Sequence, residues 1–464
     1  MDWKPYSIGE EMLVVLSDLH FSAAQSTRVG DLTFNRNLPA DIYQSYLSEI
    51  NLIAVSNQIR QVDLVLAGDI FEINRSALWF EGPQRPYVDN QEVEPGSPWE
   101  TKSLQILDAI AAEDKVRETL LLFRSIQERF DVEVRVHYIP GNHDRLINAT
   151  PALRMKAREL LGTVGGDLLF DHQFIYRDQE GNPFCLTRHG HEYDPMNFSA
   201  DTHALEVIPT EFSEEVYGNA PLGDITTIEF GAALPYYFVD RYGADRILGD
   251  PILMALYQRL MDFDDVRPTS ALLAYLFSTP GVPKKQTWEF MRPCFTRTIN
   301  ALSQIDRIHK ELGEAASIKK SQRVLLEGVL NSDLLKNGIP YWTVKQLMKQ
   351  VSKKIKLNSQ AKWAKREALI QDKNSGCKCV IGGHTHMPEV SLVSAKQGDE
   401  QYYINTGTWR NMVPATKDFK AFGKLNATTK VLVFRPDELP TSQESPKWSF
   451  HYLSGFGLGN FRHL

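Results

Sequence analysis

Met12-Leu13-Val14-Val15-Leu16-Ser17-Asp18-Leu19-His20 decides the reading of this chain. Five consecutive apolar residues, two of them β-branched, form a run too short for a helix and without polar alternation. That pattern suits a strand buried on both faces of a sheet. The run stops abruptly at two polar residues separated by one leucine, Asp18 and His20. The same texture recurs along the chain. Val62–Ala67 ends in Gly68-Asp69-Ile70-Phe71-Glu72, and Val132–Ile139 ends in Pro140-Gly141-Asn142-His143-Asp144. Pro183–Arg188 ends in His189-Gly190-His191-Glu192, and Cys379–Ile381 ends in Gly382-Gly383-His384-Thr385-His386. Tyr402–Asn405 and Lys430–Phe434 are further strand candidates.

Between these runs lie stretches with apolar residues at three-to-four spacing: Ile42–Arg60, Lys102–Phe130 and Pro151–Leu161. Strand alternating with helix predicts a layered α/β fold. From about residue 192 to 371 the texture changes to helical patterns punctuated by prolines. These roughly 180 residues make about one domain's worth of chain. We therefore expect an α/β domain of residues 1–191 and 372–464, split by a helical insertion of residues 192–371. The insertion is expected to pack as a separate layer and not to extend the sheet. Both its ends are anchored beside strand-end clusters, which predicts a cap over the site.

In open α/β sheets ligands bind at the carboxyl ends of strands, so five polar clusters at five strand ends can converge. Their residues are Asp, His and Asn. Carboxylate, imidazole and amide oxygen suit divalent manganese, iron or zinc, and the absence of cysteine argues against a closed structural zinc site. The donors exceed the needs of one ion and match two ions that share a carboxylate. Two such ions clamp the attacking and leaving oxygens of an in-line displacement and generate hydroxide from water near neutral pH. No G-x-S-x-G motif offers a serine nucleophile instead.

The series D-x-H (Asp18–His20), G-D-x-x-E (Gly68–Glu72), G-N-H-D (Gly141–Asp144), H-G-H (His189–His191) and G-H-T-H (Gly383–His386) resembles the calcineurin-like metallophosphoesterase superfamily. The resemblance covers about Leu13–Glu192 and Gly376–Phe434. It implies a four-layer αββα sandwich, here with a large helical insertion. It also implies one metal on Asp18, His20, Asp69 and His386, and a second on Asp69, Asn142, His189 and His384, with Asp69 bridging. His191 is the alternative to His189. His143, outside the ligand set, would serve the phosphoryl group or the leaving oxygen, with Glu72 orienting it; Asp144 completes the candidate catalytic group. Asn405-Thr406-Gly407-Thr408-Trp409 resembles the family's closing turn and is read as a buttress.

The expected activity is hydrolysis of a phosphate ester (diester, monoester or pyrophosphate) with two divalent ions, manganese foremost and iron or zinc as alternatives, and a metal-bridging hydroxide as nucleophile. Ser17–His20, Gly68–Glu72 and the closing turn are also similar to the UDP-diacylglucosamine pyrophosphohydrolases, so a nucleotide-linked lipid precursor is one alternative substrate. Those enzymes carry arginine where this chain has His143, and a smaller cap. A non-catalytic scaffold of the same fold is the remotest alternative, because every ligand position is filled.

The bulk numbers set the frame. The 464 residues carry a net charge of −7, with 42% hydrophobic and 23% charged residues, an ordinary globular balance. Nothing in that charge attracts nucleic acid globally. Lys310–Ile370 holds thirteen basic and five acidic residues. Within it Trp342, Leu347, Met348, Val351 and Ile355 interleave with Lys345, Lys349, Lys353 and Lys354. That stretch keeps a nuclease as an alternative, and predicts a basic helix that meets an anionic substrate larger than a simple ester. The start of the chain lacks a secretory pattern, and no apolar run approaches the ~18–20 residues of a membrane helix. Four cysteines, Cys185, Cys294, Cys377 and Cys379, are too few for a disulfide scaffold. A cytoplasmic location is expected.

Overall fold

The computed structural model describes residues 8–34, 36–305, 359–396, 399–436 and 448–458. Its strands are β1 (Ile8–Leu16), β2 (Arg28–Val29), β3 (Leu32–Thr33), β4 (Gln61–Ala67), β5 (Glu133–Ile139), β6 (Gln173–Arg177) and β7 (Pro183–Arg188). They continue with β8 (Val266–Arg267), β9 (Cys379–Gly382), β10 (Glu389–Lys396), β11 (Asp399–Asn405), β12 (Asn411–Pro414), β13 (Leu425–Pro436) and β14 (Ser449–Leu458). One sheet has the order β5-β4-β1-β13-β12-β8, with β14 also paired to β13; a second has the order β10-β11-β9-β7-β6. The hairpin β2-β3 stands apart. The chain is thus a mixed α/β protein with two multi-stranded sheets.

Alternation along the central strands assigns each face. Leu13, Val15, Val65, Ala67 and Ile139 from the first sheet meet Phe184, Cys379, Ile381 and Ile404 from the second in one buried cluster. Met12, Val14, Leu16, Val62, Leu64 and Leu66 point the other way, into a larger cluster shared with helices. Of these helices, Ala40–Ser56 buries Tyr43, Tyr46, Leu47, Ile50 and Ala54, one stripe at helical spacing. This two-sided burial explains the unbroken apolar runs Met12–Leu16 in β1 and Leu64–Ala67 in β4.

The parallel neighbours β5, β4 and β1 end at the same edge of the first sheet. β7 and β9, also parallel neighbours, end together in the second. All five strand-end clusters follow these five strands.

Some elements differ from the sequence expectation. Lys102–Phe130 is two helices, Pro98–Ala111 and Asp114–Arg124. The break falls at Glu113, whose carboxylate accepts the Val116 amide 3.0 Å away and caps the second helix. β6, β10 and β14 were not evident as apolar runs, since much of each is partly exposed, and β12 is only four residues long.

The 192–305 stretch is mainly helical, with a core of its own that includes Leu234, Phe238, Leu253, Leu256, Phe295 and Ile299. It does not stay wholly apart from the sheet. Val266 and Arg267 pair with Val413 and Pro414, so this region adds β8 to the edge of the first sheet. The basic pattern of Trp342, Lys345, Leu347, Met348, Lys349, Val351, Lys353, Lys354 and Ile355 lies outside the described residues. Among the described residues no helix is long and apolar enough to cross a membrane.

Leu64 is buried at the centre of the first sheet. Leu64→Ala should destabilise the chain by about 2–5 kcal/mol through lost burial and a residual cavity, read as a lower urea midpoint at constant slope.

Candidate metal centre

The turns that carry the clusters are conformationally demanding. Among the described residues seven non-glycine positions have a left-handed φ, and five of them are Asp18 (55°), His20 (48°), Asp69 (54°), His384 (67°) and His386 (59°). Such conformations cost of order 1–3 kcal/mol each and persist where the surroundings over-determine them. Two glycines make the approach possible. At Gly68, φ is 86° and a Cβ would fall 2.4 Å from the His189 ring. At Gly141 a Cβ would fall 2.2 Å from Asp69 Oδ1.

Donor atoms converge in two groups around Asp69. In the first, His20 Nε2 and His386 Nε2 lie 2.9 Å apart, with Asp18 Oδ1 at 3.8 and 3.3 Å from them. In the second, His189 Nε2 lies 3.2 Å from Asp69 Oδ2, and His384 Nδ1 lies 3.0 Å from Asn142 Oδ1. Asp18, His20 and His386 offer atoms within 4.8 Å of one another, as do Asp69, His189 and His384. Asp69 Oδ2 is also 3.6 Å from His20 Nε2, so one oxygen faces both groups. The other, Oδ1, accepts the His143 amide at 2.9 Å.

These residues fit divalent ions. His189 Nδ1 is 2.9 Å from the Ala67 carbonyl, which holds its proton and makes Nε2 the nitrogen that can bind an ion once it is deprotonated. That Nε2 is buried with no hydrogen-bond partner among the described residues. A buried ring nitrogen aimed at a carboxylate is a donor set that fits a divalent ion in place of a proton.

His191 points elsewhere. Its ring packs edge-on against Phe198 and Tyr217, and burial pushes its pKa down to about 3. Glu72 holds two rings at once, with Oε2 2.8 Å from His20 Nδ1 and Oε1 2.5 Å from His143 Nδ1. Asp144 is fully buried away from the cavity over the site. Its carboxylate accepts the Gly141 amide at 2.5 Å and those of Ile70 and Phe71 at 2.9 and 3.3 Å. It joins the turn after β5 to the turn after β4.

The charges are crowded. Burial opposes ionisation of Asp18, but His20 and His386 outweigh it and hold the carboxyl well below its usual range. Burial is likewise outweighed at Asp69 by His189 and His143, and at Glu72 by His143 and His20. Burial would depress the histidines too. Glu72 instead leads in lifting His20 to about 9, and Asp69 in lifting His189 to about 10. At His143, Glu72 and Asp69 overcome burial and raise the pKa.

Three supporting residues were missed in the sequence. Asp194 Oδ2 lies 3.1 Å from His384 Nε2 and orients that ring. Arg267 Nη2 donates to His386 Nδ1 at 2.6 Å. A neutral His386 accepting there carries its proton on Nε2, so ligation through Nε2 requires this contact to give way. Arg410 Nη1 is 3.5 Å from Glu72 Oε2. Only Arg410 had a sequence signal, its place directly after the closing turn. That turn holds β1's end: Thr408 Oγ1 and the Trp409 amide donate to the Asp18 carbonyl at 2.9 and 3.2 Å.

A cavity of about 170 Å³ is lined by His20, Asp69, Asn142, His143, His384 and His386, and from the helical region by Thr227, Phe230, Phe263, Arg267 and Leu272.

No protein-family model matches the chain, and no curated protein matches it. Among solved structures, a dimetal phosphatase from Danio rerio is similar over 91% of this chain and 95% of that one, with 11% identity and a TM-score of 0.23. Likeness at that level carries no argument, and the case rests on the chain's own geometry.

Gly68→Ala should displace the His189 ring, lowering both bound metal and melting temperature. Protons on His20 and His189 compete with ions, so affinity for a divalent metal should rise between about pH 6 and pH 9. Calorimetry in buffers of different ionisation enthalpy should show proton release. The metal-free fold should follow the opposite trend. Histidines with raised pKa contribute their full stability below the unfolded value of about 6.5 and lose it as pH climbs through the folded values. The melting temperature of the stripped chain should therefore fall between about pH 6.5 and pH 10.

Proposed function

We propose that the chain is a dinuclear metal-dependent hydrolase of phosphate esters. One ion would be held by Asp18, His20, Asp69 and His386, and the other by Asp69, Asn142, His189 and His384. The observation that carries this reading is the position of Asp69 Oδ2, 3.6 Å from His20 Nε2 and 3.2 Å from His189 Nε2, between two convergent donor sets. Oxygen and imidazole donors without thiolate suit manganese first, then iron or zinc. Bound there, two divalent ions supply water activation near neutral pH and neutralise charge on phosphoryl oxygens.

The chain's own residues supply the rest. His143 lines the cavity with Nδ1 engaged by Glu72, which leaves Nε2 as the nitrogen to face a substrate oxygen. Glu72 and Asp69, acting against burial, raise its pKa and so favour the protonated form, the form that can donate to a leaving oxygen. Glu72 fixes the rings of His20 and His143, coupling a ligand to the proton donor. Asp194 fixes His384 in the same way.

The same reading includes a four-layer αββα sandwich formed by residues 1–191 and 372–464, with residues 192–371 as an inserted helical cap. The face-to-face sheets and the separate helical core support it, and so does the cavity wall from Thr227, Phe230 and Leu272. Four buried free thiols suit a reducing, cytoplasmic setting.

The manganese-loaded chain should hydrolyse p-nitrophenyl phosphate or its bis ester and stop in EDTA. Asp69→Asn should lose turnover and bound metal together. His143→Ala should keep its metal while kcat falls about 10²–10⁴-fold. A loaded wild-type chain inert towards a broad panel of phosphate mono- and diesters and pyrophosphates would falsify the reading.

A further inference from the structure

A second cavity, of about 230 Å³, adjoins the first and is lined by Arg28, Arg36, Arg75, Glu81, Tyr236 and Tyr257 among others. We propose that it is an oxyanion subsite for a remote phosphoryl group on the ester whose other phosphoryl group reaches the metal centre. The substrate class is then a bis-phosphorylated compound, and the inference rests on the phosphoesterase reading above.

Position supports the pairing of the two cavities. The π-helical turn Thr227–Ala232 stands between them. Thr227 and Phe230 line the metal-side cavity, Ala232 lines the second, and Gly231 lines both. A Cβ at Gly231 would come 3.0 Å from Arg75 Nε, so the partition is thinnest where it has no side chain. Irregular π-turns of this kind recur at functional sites.

Charge supports an anion. The Arg36 and Arg75 side chains are only 8% and 3% exposed, and the Nε of each is buried with no hydrogen-bond partner among the described residues. Arg36 Nη2 donates to Asp264 Oδ2 at 2.5 Å, and Arg75 pairs with the same carboxylate. Arg410 Nη2 is 3.6 Å from that oxygen and 3.1 Å from Asp265 Oδ1. Three guanidinium groups thus share two carboxylates, and two of them, Arg36 and Arg75, line this cavity with Arg28 as its third cation. Glu81, the acidic residue of the lining, lies 3.5 Å from Lys102 Nζ. Burial and the neighbouring Arg36 depress the Arg75 pKa, as expected where cations crowd without enough counter-charge. Guanidinium forks with unmet buried donors match an oxyanion that presents several acceptor oxygens.

Titration calorimetry of the EDTA-stripped full chain with inorganic phosphate tests the pocket apart from catalysis. Phosphate should bind, and Arg28→Gln, at an exposed position, should weaken it about 10-fold. Arg75→Gln should weaken it further, with circular dichroism checking the fold. A stripped wild-type chain that does not bind phosphate overturns the subsite, whether or not esters are hydrolysed. Matched α,ω-alkanediol monophosphates and bisphosphates then assay the manganese-loaded chain. At the best-fitting length the bisphosphate should exceed the monophosphate about 10-fold in kcat/KM, and Arg28→Gln should bring that ratio towards one. Ratios near one at every length, in a chain that hydrolyses the monophosphates, overturn the substrate subsite, leave a free anion as the occupant, and spare the phosphoesterase reading. Phosphate binding without hydrolysis of any ester overturns both.

Discussion

Asp18, Asp69 and Glu72 place three carboxylates in one buried volume, and that negative charge has to be met from close by. Burial opposes ionisation of all three, yet each stays ionised because imidazoles surround it. The raised pKa values of His20 and His189 are the other side of that balance. Protons occupy positions where divalent ions would do the same electrostatic work more effectively, since each brings two charges to a point faced by several donors. Much of the surrounding structure can be understood as holding these like charges together until a cation arrives.

Holding them requires strain and support. Five candidate ligands sit at left-handed φ, a conformation that unsupported side chains avoid. Asp144 joins two of the turns through backbone amides, and the Thr408–Trp409 segment holds the Asp18 carbonyl. Gly68 and Gly141 let a ring and a carboxylate approach backbone that any side chain would block. Beneath these turns β1, β4, β7 and β9 are buried on both faces, and β5 is buried where it meets its turn.

The helical region lines the cavity beside the site and supplies residues that touch it. Its strand β8 joins the sheet edge and carries Arg267 to His386, while Asp264 and Asp265 gather Arg36, Arg75 and Arg410. Asp69, Asn142 and four histidines line the first cavity beside Arg267 and Arg410, and Arg28, Arg36 and Arg75 line the second.

Most strands that bear the site were legible in the sequence because burial leaves short apolar, β-branched runs, each broken sharply by its polar turn; β5 shows instead the alternation of a half-exposed strand. The donor types were legible there as well, because Asp, His and Asn at successive strand ends have few other reasons to recur. Edge strands such as β6 and β10 escaped notice because partial exposure removes the apolar run. The division of Lys102–Phe130 escaped because apolar spacing continues on both sides of the Glu113 cap. Only the tertiary structure decided which nitrogen of each histidine faces inward, and that His189 and not His191 turns towards Asp69. It alone brought Asp194 to His384 and Arg267 to His386, across 190 and 119 residues of chain. Local patterning reports burial and backbone preference, whereas the orientation of a ring and the pairing of distant charges are set by groups that meet only when the chain has folded.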